Sequence, residues 1–486
     1  MSLAQAAGFK PAYFYPYLNT RSPIDICTGI YVKGFNGAWL LDAGAAPVNG
    51  FSARSGYFKS TTVDNMVVNL MEIYPRSEYF KYDTENTSTS LHRFYRLAQG
   101  LNVNVDERVH LTNKGEMNLK EYIEFLTNLG EYKLKNKQEY LVETPFLDTN
   151  TGKPLKIMVP TFISLDSISN LSTDNVDFST GMEDKSNNTA DMYDARIKKR
   201  LMDLFITYAY RYSMYFFVTA HVDSKIEIDP RRPTPKQNQW LKQGEKITNA
   251  GKNFQYLPNL SFQLARPKPL VDQDGQPLYP SGDLNATDRE KVEINKLEMK
   301  VLRGKNNMTG TIIPTVMSQH RGVLADLSYY EYLRDVSDKA KSGEYESSGF
   351  LLKGYNRFSP LLPDVPFHRN SIRQTCDENY AAKRTLELMF QFHWIHHYWN
   401  TAAYPYDIPA TVENFVERIN QSSRIDVNDI LQSRGYWTYD TEEKRPYMSI
   451  MDVFELVGMK DVNSSVQVTD TIVPPKPEPT GKKKQK

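Results

Sequence analysis

Between Ala46 and Asp223 short apolar runs alternate with amphipathic stretches, and this alternation limits the folds open to the chain more than any other feature. "APVNGF" (46–51), "SEYFKYD" (77–83), "LKIMVPTFISLD" (155–166) and "MYFFVTAHV" (214–222) read as strands. Between them, "KSTTVDNMVVNLMEIY" (59–74) carries Val63, Met66, Val67, Leu70 and Ile73 at helical spacing. "SLHRFYRLAQGL" (90–101) and "DARIKKRLMDLFITYAYRY" (194–212) read as further helices. Apolar strands that alternate with helices call for a mostly parallel sheet covered on both faces, an α/β fold.

At 486 residues the chain exceeds what one hydrophobic core supports, so two or three domains are expected. Residues 1–45 form a short amino-terminal segment, with strand or turn around Gly34, Gly37 and Gly44. The core spans 46–335 and holds a long insertion at about 224–290, rich in Lys, Arg, Gln, Asn, Pro and Gly. An insertion of that size is either functional or structureless. Residues 291–320 resume strand-like alternation, and 336–462 form a mostly helical region. The Pro-rich and then basic end, 463–486, reads as a disordered tail.

The net charge of +1 gives no global field, so any nucleic-acid binding must come from local basic patches. Two cysteines, Cys27 and Cys376, make neither a disulfide framework nor a metal site, which fits a reducing compartment. No basic leader precedes an apolar core, and no run approaches the roughly 20 apolar residues that span a bilayer. A cytoplasmic protein with no membrane partner is expected.

The stretch "GFSARSGYFKST" (50–61) resembles a phosphate-binding loop, G-x-x-x-x-G-K-S/T, with Ala53 and Phe58 in the glycine places and Gly56 displaced by two. Such a loop needs inward backbone N–H groups, here from Arg54, Ser55, Gly56, Tyr57 and Phe58. It also needs a lysine for the outer phosphates (Lys59), a hydroxyl for magnesium (Ser60) and a helix opening at Thr61. The alternative is a polar loop that happens to contain Lys-Ser. Three later segments supply context. In "YFKYDTEN" an apolar strand is read as ending in Asp83 and Glu85, in "FISLDSIS" a buried strand as ending in Asp166, and in "FFVTAHVD" a strand as ending in His221. Polar groups at the carboxyl ends of strands are where open α/β sheets bind ligands. Such residues also cap turns and helices, but capping alone does not account for four in order behind a Lys-Ser pair.

Together with "VLRGKNN" (301–307), this ordered set resembles the core of the RecA-type recombinases, including phage members with a Phe-Lys-Ser loop, over roughly residues 25–335. The resemblance implies a RecA-like ATPase core using ATP and Mg2+. Lys59 and Ser60 would meet the phosphates and magnesium, Asp166 would be the magnesium-side carboxylate, and Glu85 would orient the attacking water. His221 falls where the bacterial family has a glutamine that senses the γ-phosphate. Arg303 and Lys305, two apart on a strand, would reach a neighbouring protomer's site; the alternative is two solvated cations.

The family contacts single-stranded DNA through loops after the strands ending in Asp166 and His221. The first loop here is acidic. The second carries Lys225, Arg231, Arg232, Lys236, Lys242, Lys246 and Lys252, with Trp240, Phe254 and Tyr256 among them. Cations can track phosphates while aromatics stack on bases; the alternative is a solvated insertion. Duplex DNA is a further possible partner, through Arg369, Arg373, Lys383 and Arg384, unless these mark an ordinary amphipathic surface. His393, His396 and His397 in "HWIHHYWN" lack a matching carboxylate or cysteine and read as a packed helix rather than a metal site. The expectation is a DNA-dependent ATPase that forms homo-oligomers on single-stranded DNA for strand exchange. Its rivals are a hexameric helicase on the same fold and a non-catalytic DNA-binding structural protein.

Overall fold

The computed structural model describes residues 15–86, 91–148, 151–173, 190–225, 235–280, 293–304, 309–344, 349–353, 356–399, 407–438 and 443–458; at 190–193 and 252 it describes the backbone alone. The fold is α/β. Its main sheet has six parallel strands in the order β11 (Leu260–Leu264), β3 (Val48–Ala53), β9 (Met214–Ser224), β8 (Thr161–Asp166), β4 (Tyr79–Asp83) and β5 (Val109–Asn113). Beyond β11 the sheet continues antiparallel through β13 (Ile294–Gly304), β14 (Ile312–Ser318) and β15 (Gly322–Val323). β10 (Glu245–Ile247) folds back on β9, and β12 (Lys268–Pro269) lies against β13.

Alternation along the strands explains why both faces are covered. In β9, Tyr215 and Phe217 join the core beneath the Lys59–Ile73 helix, while Phe216, Val218 and Ala220 face the other way. That second face is packed by the helices Leu119–Lys135 and Ala190–Tyr212, with Phe205 stacked on Phe216 at 4.3 Å. The two helices close on each other at Gly130, where a Cβ would lie 2.3 Å from the Tyr212 ring.

Three sequence expectations are corrected. "LKIMVPTFISLD" is two strands, not one. β7 (Lys153–Met158) pairs with β6 (Leu141–Asp148) outside the main sheet, and β8 starts afresh after Pro160. The 224–290 insertion contains β11, a wholly buried strand beside β3 whose Ser261 and Gln263 disguise it. The helical region after 336 includes a three-stranded meander, β16 (Leu351–Lys353), β17 (Asn356–Ser359) and β18 (Leu362–Pro366).

The amino-terminal glycine-rich segment forms a hairpin, β1 (Ile30–Lys33) with β2 (Trp39–Asp42). It packs on the carboxy-terminal helices. Trp437 donates to the Leu41 carbonyl, Trp39 N–H donates to Asp452, and Lys33 pairs with Glu455. Both cysteines are buried thiols. Among the described residues no helix is long and apolar enough to cross a membrane.

Candidate functional site

The loop after β3 turns through Gly56 (φ 78°) and Phe58 (φ 59°), both left-handed, before the helix begins at Lys59. Phe58 thus adopts, at the place of the missing glycine, the backbone conformation glycine favours. The Lys59–Ile73 helix has no side-chain cap and no acidic residue in its first turn. Its leading N–H groups and dipole are therefore available to an anion. Lys59 is buried, and burial lowers its pKa against the pull of Asp166 and Glu85.

Register brings the strand-end residues together. Ala53 pairs with His221, and Asp83 pairs with Asp166, so the carboxyl ends of β3, β9, β8 and β4 lie side by side. Asp166 is buried and its carboxyl is held down to about 2. Desolvation opposes ionisation there, but Lys81, hydrogen bonds from Ser60 and Thr219, and Lys59 outweigh it. Thr219 donates to Oδ1 at 2.6 Å. Among the described residues Oδ2 accepts no hydrogen bond, although it lies 3.3 Å from Lys81 Nζ in an ion pair. The peptide bond following Asp166 is cis.

Glu85 is half-buried. His221 Nε2 and Ser167 Oγ both contact its Oε1, and the hydrogen bond with His221 is the main cause of its lowered pKa. His221 is not at a strand end, since β9 runs on to Ser224, and its N–H donates to Ser169 Oγ. Capping does hold for Asp83, which accepts from the Glu85 N–H at 2.9 Å.

Arg54, in the loop after β3, turns the other way, to Ser224 at 2.9 Å and Glu245 at 3.4 Å. It lines a cleft of about 590 Å³ with Tyr57, Lys236, Lys242, Arg266 and Lys300. Lys225 donates to the Pro235 carbonyl and Lys246 is exposed. Trp240 is half-buried, covered by Gly310 and within 5.8 Å of Lys300. Phe254 is core and cannot stack on a base, whereas Tyr256 is exposed. Lys252 has only its backbone described, and Arg231, Arg232 and Lys305 lie outside the described residues.

Arg303 pairs with Ser261, which pairs with Gly50, three residues before the end of β3. At about 3.3 Å per residue it sits some 10 Å back from the end of β3, toward the amino-terminal ends of the parallel strands. In the helical region Arg384 is buried against Glu387 and the Met448 carbonyl, so it belongs to no duplex-binding surface. His393 is buried, and burial lowers the pKa of His396. Among the described residues no group of histidines, cysteines and carboxylates is arranged to hold a metal.

Sequence reasoning missed Thr219, Ser167 and the buried pair Lys81–Asp64. The one visible signal was Lys81, a charge inside an otherwise apolar strand. No protein-family model matches the chain, and no curated protein matches it.

Proposed function

We propose that this chain is an ATP-dependent, single-stranded-DNA-binding protein of the RecA-type recombinase class, hydrolysing ATP and forming homo-oligomers on DNA. The observation that carries the reading is the convergence of Lys59, Ser60, Asp166, Glu85 and His221 in front of an uncapped helix.

A terminal phosphate seated on the first-turn N–H groups would meet Lys59, whose charge is little screened where it is buried. Ser60 and Asp166 suit magnesium. Both offer hard oxygens, Asp166 is ionised, and among the described residues its buried Oδ2 accepts no hydrogen bond and has only the ion pair with Lys81. Bound there, magnesium would neutralise charge on the phosphoryl oxygens. Glu85, also ionised, would accept a proton from, or orient, an in-line water. Its present tie to His221 links the water site to β9, from which the Lys225–Lys246 segment departs. That connection would pass the nucleotide state to DNA. Arg303, with Lys305, would act on a neighbouring protomer, because its place on β13 is level with Gly50, three residues back from the end of β3. The cations Lys236, Lys242 and Arg54 would follow the phosphodiester chain.

The test compares wild type with Glu85→Gln. A fluorescent ATP analogue should bind both within about threefold, while DNA-stimulated turnover should fall by about 100-fold or more in the variant. A wild-type protein with no affinity for the analogue would overturn the reading. Electron micrographs of the complex with single-stranded DNA should show open filaments; closed rings would favour a helicase.

A further inference from the structure

Beneath the phosphate loop lie two buried charges that the scheme above leaves without a role. Lys81 is in the middle of β4 and Asp64 is on the Lys59–Ile73 helix, five residues after Lys59; both are essentially inaccessible to solvent. Strand alternation turns Lys81 toward that helix. Its Nζ lies 3.0 Å from each Asp64 oxygen and 3.3 Å from Asp166 Oδ2. Tyr79 also donates to Asp64, at 2.9 Å, and Arg93 approaches it at 3.4 Å.

Stability alone is a weak reason for an ammonium at this position. Apolar residues of similar volume hold a strand to a helix as well as a buried ion pair, or better. What an apolar pair would not provide is a fixed contact to Asp166. An aspartate carboxylate rotates in a broad χ2 well. The hydroxyls of Ser60 and Thr219 bond it from the Lys59–Ile73 helix and from β9, which among the described residues leaves its β4 side without a restraint other than Lys81. Here Thr219 takes Oδ1 from β9 while Lys81 faces Oδ2 from β4, one partner on each side of β8.

We propose that Lys81 is a positioning residue for Asp166. Asp64 anchors the ammonium, and the ammonium fixes the plane in which the Asp166 carboxylate faces Ser60 and the phosphate loop. The inference rests on the nucleotide reading, and it assigns Lys81 no contact with nucleotide or metal.

Lys81→Met alone would leave Asp64 buried without its main partner and risks unfolding the chain. The informative variant is the double Asp64→Asn, Lys81→Met, which removes both charges and keeps an acceptor for Tyr79. ATP turnover is measured across a magnesium titration beside wild type. The expected result is a KM for ATP within about threefold of wild type, with kcat lower and magnesium half-saturation higher, each by about 10–100-fold. A purely structural pair would change the thermal midpoint and leave both quantities at wild-type values in the folded variant, and that result overturns the proposal. A crystal structure of the variant without nucleotide gives a second readout. An Asp166 carboxylate turned out of its wild-type plane supports the proposal, and one that superposes on wild type refutes it. If wild type itself hydrolyses no ATP, the nucleotide reading fails, and the carboxylate orientation alone decides the role of Lys81.

Discussion

Replacing Phe58 with glycine and with alanine separates two contributions at the residue that stands in a motif glycine's place. Phe58 has φ 59° and ψ 20° and is half-buried against the core. Truncation to alanine loses the partial burial, about 0.75–1.5 kcal/mol, or half the value of a fully buried large apolar side chain. It also keeps a Cβ in the left-handed region, at a cost of about 1–2 kcal/mol. Glycine loses the same burial but removes that backbone cost, offset by about 0.5–1 kcal/mol of extra chain entropy in the unfolded state. Phe58→Gly should therefore be more stable than Phe58→Ala by about 0.5–1 kcal/mol. That order reverses the ranking found inside helices. Urea unfolding followed by tryptophan fluorescence measures the gap as a difference in midpoint. Since the loop backbone is unchanged, Phe58→Gly should also keep its affinity for a fluorescent ATP analogue. An alanine variant as stable as the glycine variant, or more so, would refute the left-handed geometry on which the loop reading stands.

Gly130→Ala should destabilise the protein by about 1–3 kcal/mol, although alanine is the better helix former, because its Cβ would meet the Tyr212 ring at 2.3 Å; an unchanged or raised thermal midpoint would contradict that helix contact. Asp166 gives a pH dependence. Its folded-state pKa of about 2 lies below the ordinary 3.8, so the unfolded chain binds more protons between these values. Its stabilisation is complete above about pH 5 and is lost as pH falls through 2, by about 2.5 kcal/mol in all. The stability gap between wild type and Asp166→Asn should shrink accordingly from pH 5 to pH 2 in urea titrations, and a constant gap would contradict the buried ionised carboxylate.

The parts of the fold that were legible in the sequence are those where one physical signal dominates. β9 opens with the continuous apolar run Met214–Val218, β3 and β8 keep apolar residues around buried Asn49, Ser52 and Ser164, and the Lys59–Ile73 helix shows its period plainly. β11 was hidden because Ser261 and Gln263 occupy buried positions in it, where Ser52 Oγ, a neighbour on β3, donates to the Phe262 carbonyl. β7 merged with β8 because Pro160 sits between two apolar stretches, and pairing outside the main sheet leaves no mark in composition. At the site, residue order placed Lys59, Asp166 and Glu85 at neighbouring strand ends, but it carried no information on side-chain partners. Lys81 reads as an interruption of a strand until Asp64 and Asp166 are seen around it. Phe254 and Arg384 show the converse: both sit in polar-looking segments and are buried.

The central claim is that the Lys59 loop binds ATP for hydrolysis. Its most direct test is turnover by the purified protein with and without single-stranded DNA, beside Lys59→Ala. The account predicts DNA-stimulated hydrolysis that falls by at least about 100-fold in the variant, since in this reading Lys59 would be the cation that meets the developing charge. No hydrolysis under either condition, or turnover that survives loss of Lys59, would contradict it.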